Sequence, residues 1–336
     1  MSQQSKPFCV LGAGSWGTAL AILLSRNKNS TYLWGRDNSQ MQAMAESRCN
    51  QKYLPENQFP EDLHPTSDLT RCISECRDIM LVVPSHAFVE TLQLIKPLLR
   101  DDARICWATK GLEPDTGALL STTVAREIGR EVPLAILSGP TFAKELADDL
   151  PTACTIASND DKFLEDLISR FHNNLFRIYK SKDMTGVQLG GAVKNIIAVG
   201  AGMGDGLGFG VNSRTALITR GLAEIVRLGK ELNAEPQTLY GLSGLGDLLL
   251  TSTDDQSRNR RFGLALGQGK TTQQAADEIG QVVEAVRNTR EVRDLAHRLN
   301  IEMPIVEAIY SILYEEVSPQ QAAMNLLTRE LTDELS

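Results

Sequence analysis

Phe8-Cys-Val-Leu-Gly12-Ala-Gly14-Ser-Trp-Gly17-Thr-Ala-Leu20 is the stretch that decides the fold. Four apolar residues that read as a strand run directly into three glycines spaced GxGxxG, and the apolar pattern that follows, Thr18–Arg26, has helical period. The three glycines serve different ends. Gly12 permits a tight turn, Gly14 lets the backbone approach a pyrophosphate, and Gly17 lets helix and strand pack closely. The N–H groups freed at the helix start, near Ser15 and Trp16, then meet the anion. A chain with 26 glycines matches such a pattern by chance somewhere. Its position between a strand and a helix makes a dinucleotide-binding turn the better reading than a merely structural Gly-rich turn.

Outward from this turn, short apolar runs continue at Thr31–Trp34, Ile79–Val83, Arg104–Ala108, Leu134–Leu137, Cys154–Ile156 and Phe176–Tyr179. Helical patterns such as His86–Leu99 and Gly117–Ile128 lie between them. This alternation predicts a mainly parallel, doubly wound sheet of Rossmann-like α/β type. After Lys182 the strand signals stop. Gly186–Met203, Arg214–Leu232, Pro236–Ser252, Arg258–Leu266, Thr272–Ile279, Glu284–Leu299, Pro304–Glu315 and Pro319–Leu331 all have helical period, and Pro304 and Pro319 each stand at a plausible first helical position. The expected organisation is a nucleotide-binding domain over residues 1–182 and an all-α domain over residues 183–336, divided by a change of period with no linker between.

The remaining signals narrow the partners. A length of 336 residues suits two domains, and 42% hydrophobic with 23% charged residues is the balance of a soluble globular protein. A net charge of −8 argues against nucleic acid, yet a local cluster of cations still suits a small anionic substrate. Six cysteines without a CxxC pair, all in the first half, predict buried free thiols in a reducing cytoplasm and no metal site. The uncharged run Phe8–Ser25 resembles a signal-peptide core, but three glycines interrupt it, only Lys6 precedes it, and no small-x-small site follows. Lys194 and Asn195 break the most apolar later stretch, Val187–Met203, so no membrane insertion is expected.

The second strand ends Tyr32-Leu-Trp-Gly35-Arg36-Asp37, where the adenosine ribose is expected. Glycine there removes a carboxylate and Arg36 suits a 2′-phosphate, which favours NADPH over NADH; Asp37, one residue on, still leaves NADH open. Lys110, in Trp107-Ala-Thr-Lys110-Gly111, follows a strand's C-terminal end, the ligand side of such sheets. Lys194 lies inside an apolar helix beside Gly190 and Gly191. Such a lysine either snorkels to solvent or, partly buried beside another charge, serves as a proton donor to a carbonyl oxygen. Asp247, in an apolar helical stretch, is either a solvated cap or the partner of Lys194. Ser257 reads as an N-cap, and that helix start together with Arg258 suits a phosphate, against the bland reading of Arg258, Arg260 and Arg261 as a solvated face.

Taken in order, GAGSWGTALA, VVPSH, WATKGLE, SGPTFAKE, LGGAVKNIIAVGAGM, SRTALITRG, GLGDLLLT and QSRNRRFG resemble the motifs of the bacterial NAD(P)-dependent glycerol-3-phosphate dehydrogenases, from residue 8 to about residue 310. The tail after Glu315 matches least. The resemblance implies reversible reduction of dihydroxyacetone phosphate to sn-glycerol 3-phosphate, which supplies the glycerophospholipid backbone. It implies Lys194 as proton donor and acceptor, with Lys110 touching both coenzyme and substrate. It further implies substrate contacts at Gly139, Thr141, Asp247, Ser257, Arg258 and Asn259. Coenzyme contacts are implied at Ser15, Trp16, Arg36, Ala143, Arg258, Val282 and Glu284, beside Gly12, Gly14 and Gly17 of the turn. A homodimer is the expected assembly. Two other readings stand beside this one: a reductase of a hydroxy acid or sugar acid, and a non-catalytic NADPH-binding redox sensor. The joint presence of Lys110, Lys194 and Asp247 counts against the sensor.

Overall fold

The computed structural model describes residues 6–330. They form two compact units. One holds residues 6–110 and Ser121–Met184; the other holds Gly111–Leu120 and residues 185–330. The chain passes between the units three times; the third passage, Met184 to Thr185, lies two residues beyond Lys182, and the ten residues 111–120 belong with the helices. Leu112 is buried in the helical unit's core, and Arg298 donates to Thr116 O at 2.6 Å. Hydrophobic period carries no signal for such an excursion.

The first unit contains ten strands: β1 (Phe8–Leu11), β2 (Thr31–Trp34), β3 (Cys49–Asn50), β4 (Leu54–Gln58), β5 (Leu63–Thr66), β6 (Asp78–Leu81), β7 (Arg104–Trp107), β8 (Leu134–Ser138), β9 (Thr152–Ser158) and β10 (Phe176–Ser181). Eight make one sheet in the order β10-β9-β8-β7-β6-β1-β2-β5, while β3 and β4 form a separate hairpin. From β5 to β8 all neighbours are parallel. Counted along the chain, these six strands stand in the order third, second, first, fourth, fifth, sixth, which is the doubly wound nucleotide-binding arrangement with its switch point beside β1. β9 runs antiparallel to β8 and carries β10 with it. Helices cover both faces of such a sheet, so β1, β2, β6 and β7 are buried at every residue, which is why they read as unbroken apolar runs.

β3, β4 and β5 were not legible in the sequence. Leu54–Gln58 and Leu63–Thr66 contain prolines and half-exposed polar residues, as sheet-edge segments do. The expected His86–Leu99 helix is a helix over Phe88–Ile95 with 3₁₀ turns at either end, and the expected Gly117–Ile128 helix starts at Leu120.

The second unit is helical. One expected helix is broken: Pro236–Ser252 is a short helix, Pro236–Tyr240, then a π-type turn, Leu242–Gly246, then Asp247–Thr253. Glycines at 241, 244 and 246 permit this, and a Cβ on Gly244 would lie 2.0 Å from Leu239 O. The final expected helix ends at Leu327; its last residue, Leu331, lies outside the described residues. No helix among the described residues is long and apolar enough to cross a membrane. All six cysteines are buried thiols.

Candidate active site

The glycine turn leaves β1 and enters the Ser15–Arg26 helix as expected. Gly12 has φ +124°, and a Cβ there would meet Val82 O at 2.5 Å; a Cβ on Gly17 would sit 1.9 Å from Gly12 O. Those two glycines are demanded by the chain itself. Gly14 is different: a Cβ there would have nothing within 4 Å. The space it leaves is open to a ligand, and Trp16 Nε1 beside it is buried without a hydrogen-bond partner. The residues present fit a bound pyrophosphate.

At the end of β2 a Cβ on Gly35 would lie 2.5 Å from Met41 Sδ, in a flexible side chain, and 3.2 Å from Ala13 Cβ, so packing favours a small residue there as well. Asp37 is the N-cap of the Asn38–Ser47 helix and accepts from Gln40 N at 3.0 Å. Arg36 and Asp37 are both exposed.

Lys110, Gly139 and Thr141 converge at the C-terminal ends of the adjacent strands β7 and β8. Lys110 Nζ donates to Gly139 O at 3.4 Å and Thr141 Oγ1 to the same oxygen at 3.2 Å. Gly139 has φ +157° and is pressed against Cys154, whose Cα would be 2.9 Å from an added Cβ. Ala143 opens the short Ala143–Ala147 helix two residues after Thr141 and packs on the sheet core.

In the helical unit the long Met184–Gly206 helix carries Lys194, which is 5% exposed. The lysine does not snorkel to solvent. Its Nζ donates to Asp247 Oδ1 and, at 2.8 Å, to Thr251 Oγ1. Asp247 is 1% exposed and begins the helix after the π-type turn; Thr251 follows one turn later. Glycine close packing fixes this meeting: a Cβ on Gly190, one turn before Lys194, would lie 2.3 Å from Ser243 O, one turn before Asp247. The two backbones therefore touch where each next presents a charged side chain to the other. A buried ammonium and carboxylate in direct contact satisfy each other's charge.

Ser257 caps the Arg258–Gly267 helix, accepting from Arg260 N at 3.2 Å. Arg258, part-exposed, donates to Gln281 Oε1 at 3.0 Å, next to the half-exposed Val282 and to Glu284, which begins its own helix. Asn259 donates to Asn195 Oδ1 at 2.9 Å. The arginines are not one solvated face: Arg260 is 9% exposed and reaches Asp205 at 2.6 Å, a carboxylate shared with Arg214. Sequence reasoning missed Thr251 and Asn195. Thr251 lies four residues beyond Asp247 on one helix face, and that spacing is the signal that finds it.

A six-strand nucleotide sheet, a phosphate turn with room beside Gly14 and a buried lysine–carboxylate pair in a helical unit define a two-domain dehydrogenase of the nicotinamide-nucleotide class. The comparisons narrow the class. The N-terminal model of NAD-dependent glycerol-3-phosphate dehydrogenase matches residues 7–164 and the C-terminal model matches residues 183–324. The chain belongs to this family and is an NAD(P)-dependent oxidoreductase. It is 56% identical to the glycerol-3-phosphate dehydrogenase [NAD(P)+] of Shigella boydii over 337 residues, which cover 100% of this chain and 99% of that protein. It superposes on the crystal structure of glycerol-3-phosphate dehydrogenase from Coxiella burnetii with a TM-score of 0.94 at 48% identity, covering 96% of this chain and 99% of the other. A ketopantoate reductase from Ralstonia eutropha shares the fold at a TM-score of 0.60 with 13% identity, a likeness of fold alone. The hydroxy-acid reductase and sensor readings are not favoured.

Proposed function

We propose that this chain reversibly reduces dihydroxyacetone phosphate to sn-glycerol 3-phosphate with NADPH, and with NADH as a second coenzyme, supplying the backbone of glycerophospholipids. The observation that carries the mechanism is the buried contact of Lys194 with Asp247 and Thr251. The nicotinamide, when bound, supplies a hydride to C2 of the ketone. Lys194 gives a proton to the C2 oxygen as that carbon becomes a secondary alcohol, and takes it back in the reverse direction. Asp247 aims the ammonium, and Thr251 fixes it from a second direction. Lys110 stabilises the negative charge that grows on the oxygen. Gly139 and Thr141 are assigned as further substrate contacts.

The substrate phosphate is assigned to Arg258, to the N–H groups of the helix start that Ser257 caps, and to the Asn259 amide. Gripping the end remote from the reacting carbon orients the carbonyl. Gly12, Gly14, Ser15, Trp16 and Gly17 take the coenzyme's pyrophosphate; Arg36 takes its 2′-phosphate. Ala143, Val282, Glu284, Lys110 and Arg258 complete the coenzyme contacts. The assembly proposed is a homodimer in the cytoplasm, which sedimentation of the purified protein tests.

Lys194→Ala should abolish turnover of dihydroxyacetone phosphate while NADPH still binds, measured by loss of absorbance at saturating substrate and by coenzyme fluorescence. Near-normal turnover removes Lys194 from the mechanism.

A further inference from the structure

At about 3.6 residues per turn, the Met184–Gly206 helix turns Gly190 and Lys194 to one side and Ala192, Asn195, Val199 and Gly202 to the other. The first side meets the turn that leads into Asp247. The second is gripped by directional bonds. Asn288, on the Glu284–Arg298 helix, donates from Nδ2 to Ala192 O at 3.2 Å. Asn259 donates to Asn195 Oδ1, and its own Oδ1 accepts from Ala285 N at 3.3 Å. The first turns of the Glu284–Arg298 helix thus tie the lysine-bearing helix just before and just after Lys194.

Around these bonds the packing is apolar: Val193, Ile196 and Ile197 are fully buried. Apolar contact is non-directional, so it opposes separation of two helices far better than rotation of one about its axis. A hydrogen bond to a helix carbonyl opposes rotation. Asn288 is entirely buried, and its Oδ1 has no hydrogen-bond partner. An amide with one end unsatisfied in the core destabilises the fold relative to an apolar residue of the same shape. Stability therefore does not account for an amide at this position, and the bond from Nδ2 does.

We propose that Asn288 is a positioning residue whose bond to Ala192 O sets the rotation of the Met184–Gly206 helix and so aims Lys194 at Asp247 and Thr251. The proposal rests on Lys194 being the proton donor.

Asn288→Leu keeps the shape and removes the donor. It should hold or raise the melting temperature, lower kcat roughly 10- to 100-fold and leave KM for NADPH unchanged. The limb of the kcat–pH profile that reports Lys194 should also move, because distance from the Asp247 carboxylate sets the lysine's proton affinity. Asn288→Asp can donate only when protonated, so its kcat relative to wild type should fall as pH rises. Wild-type kcat with an unmoved limb in folded Asn288→Leu overturns the proposal, as does an activity loss that merely follows a fall in melting temperature. If Asn288→Leu does not fold, Asn288→Asp decides, and a ratio to wild type independent of pH overturns it. Lys194→Ala in the same assay keeps the two ideas apart. Turnover surviving in that variant defeats the Lys194 reading, whereas a dead Lys194→Ala beside wild-type Asn288 variants defeats only the positioning role.

Discussion

Adding one methyl group at Gly190 should disable the proton donor without touching it. A Cβ on Gly190 would lie 2.3 Å from Ser243 O, 2.9 Å from Gly244 Cα and 3.0 Å from Ser243 C. Non-bonded carbon contacts settle at about 3.5 Å or more, so the two segments must separate by roughly 1 Å. All three obstructing atoms are backbone, so no flexible side-chain end can give way. Lys194 lies one turn along from Gly190, and Asp247 one turn along from Ser243, so the separation falls on their contact. Misplacement of a reacting group by about 1 Å costs on the order of 100-fold in rate. The stability terms partly oppose each other: alanine for glycine in a helix gains about 1 kcal/mol, and overpacking costs about 1–3 kcal/mol. Gly190→Ala should therefore fold with a modestly lowered melting temperature and lose about two orders of magnitude in kcat, read by NADPH absorbance at saturating dihydroxyacetone phosphate. Gly204→Ala on the same helix is the control. Its Cβ would meet only Phe209 Cδ2, at an ordinary 3.8 Å, so it should raise stability and keep activity. Gly190→Ala with wild-type kcat would refute the idea that glycine contact sets the lysine–carboxylate geometry.

The N-terminal ends of the strands should separate stability from activity. Asp78, fully buried at the first residue of β6, pairs with Arg104 through bonds of 2.6 and 2.8 Å and with Arg170 at 3.2 Å. Asp78→Asn removes the buried carboxylate that Arg104 and Arg170 share and leaves Arg104 only the part-exposed Asp166, 2.6 Å away, at a cost of about 3 kcal/mol. Denaturant titration should show this loss while kcat per folded molecule is unchanged, because the glycine turn, Lys110 and Gly139 lie at the other, C-terminal ends of the strands. Stability should also fall as pH rises. Burial pushes the Glu224 and Glu291 carboxyls up to about 7, from 4.5 in the unfolded chain. Each holds a proton in the folded protein that the unfolded chain has released, so their stabilising contribution is complete below about pH 4.5 and is lost on passing 7. Both Glu291 oxygens lack a hydrogen-bond partner, with Arg287, Arg290, Glu284 and Asp115 nearby. Melting temperatures between pH 5 and 8 should decline for wild type and decline less for Glu291→Gln; identical slopes would show that Glu291 does not titrate there.

Much of this molecule is written in local sequence. The β1–turn–helix unit follows from four apolar residues, three glycines and a helical period, all within twenty positions, because strand, turn and helix each arise from interactions a few residues apart. The same holds for the change from alternating strands to helices near residue 182 and for Ser257 as a cap. Lys194 and Asp247 were legible as candidates, because a charge inside an apolar stretch requires a partner. Which partner it meets was decided only in three dimensions. The Lys194–Asp247 contact, the Asn259–Asn195 bridge and the press of Gly190 on Ser243 join residues more than fifty apart. The excursion of residues 111–120 is likewise set by what lies opposite, and close approach between distant segments leaves no period to read.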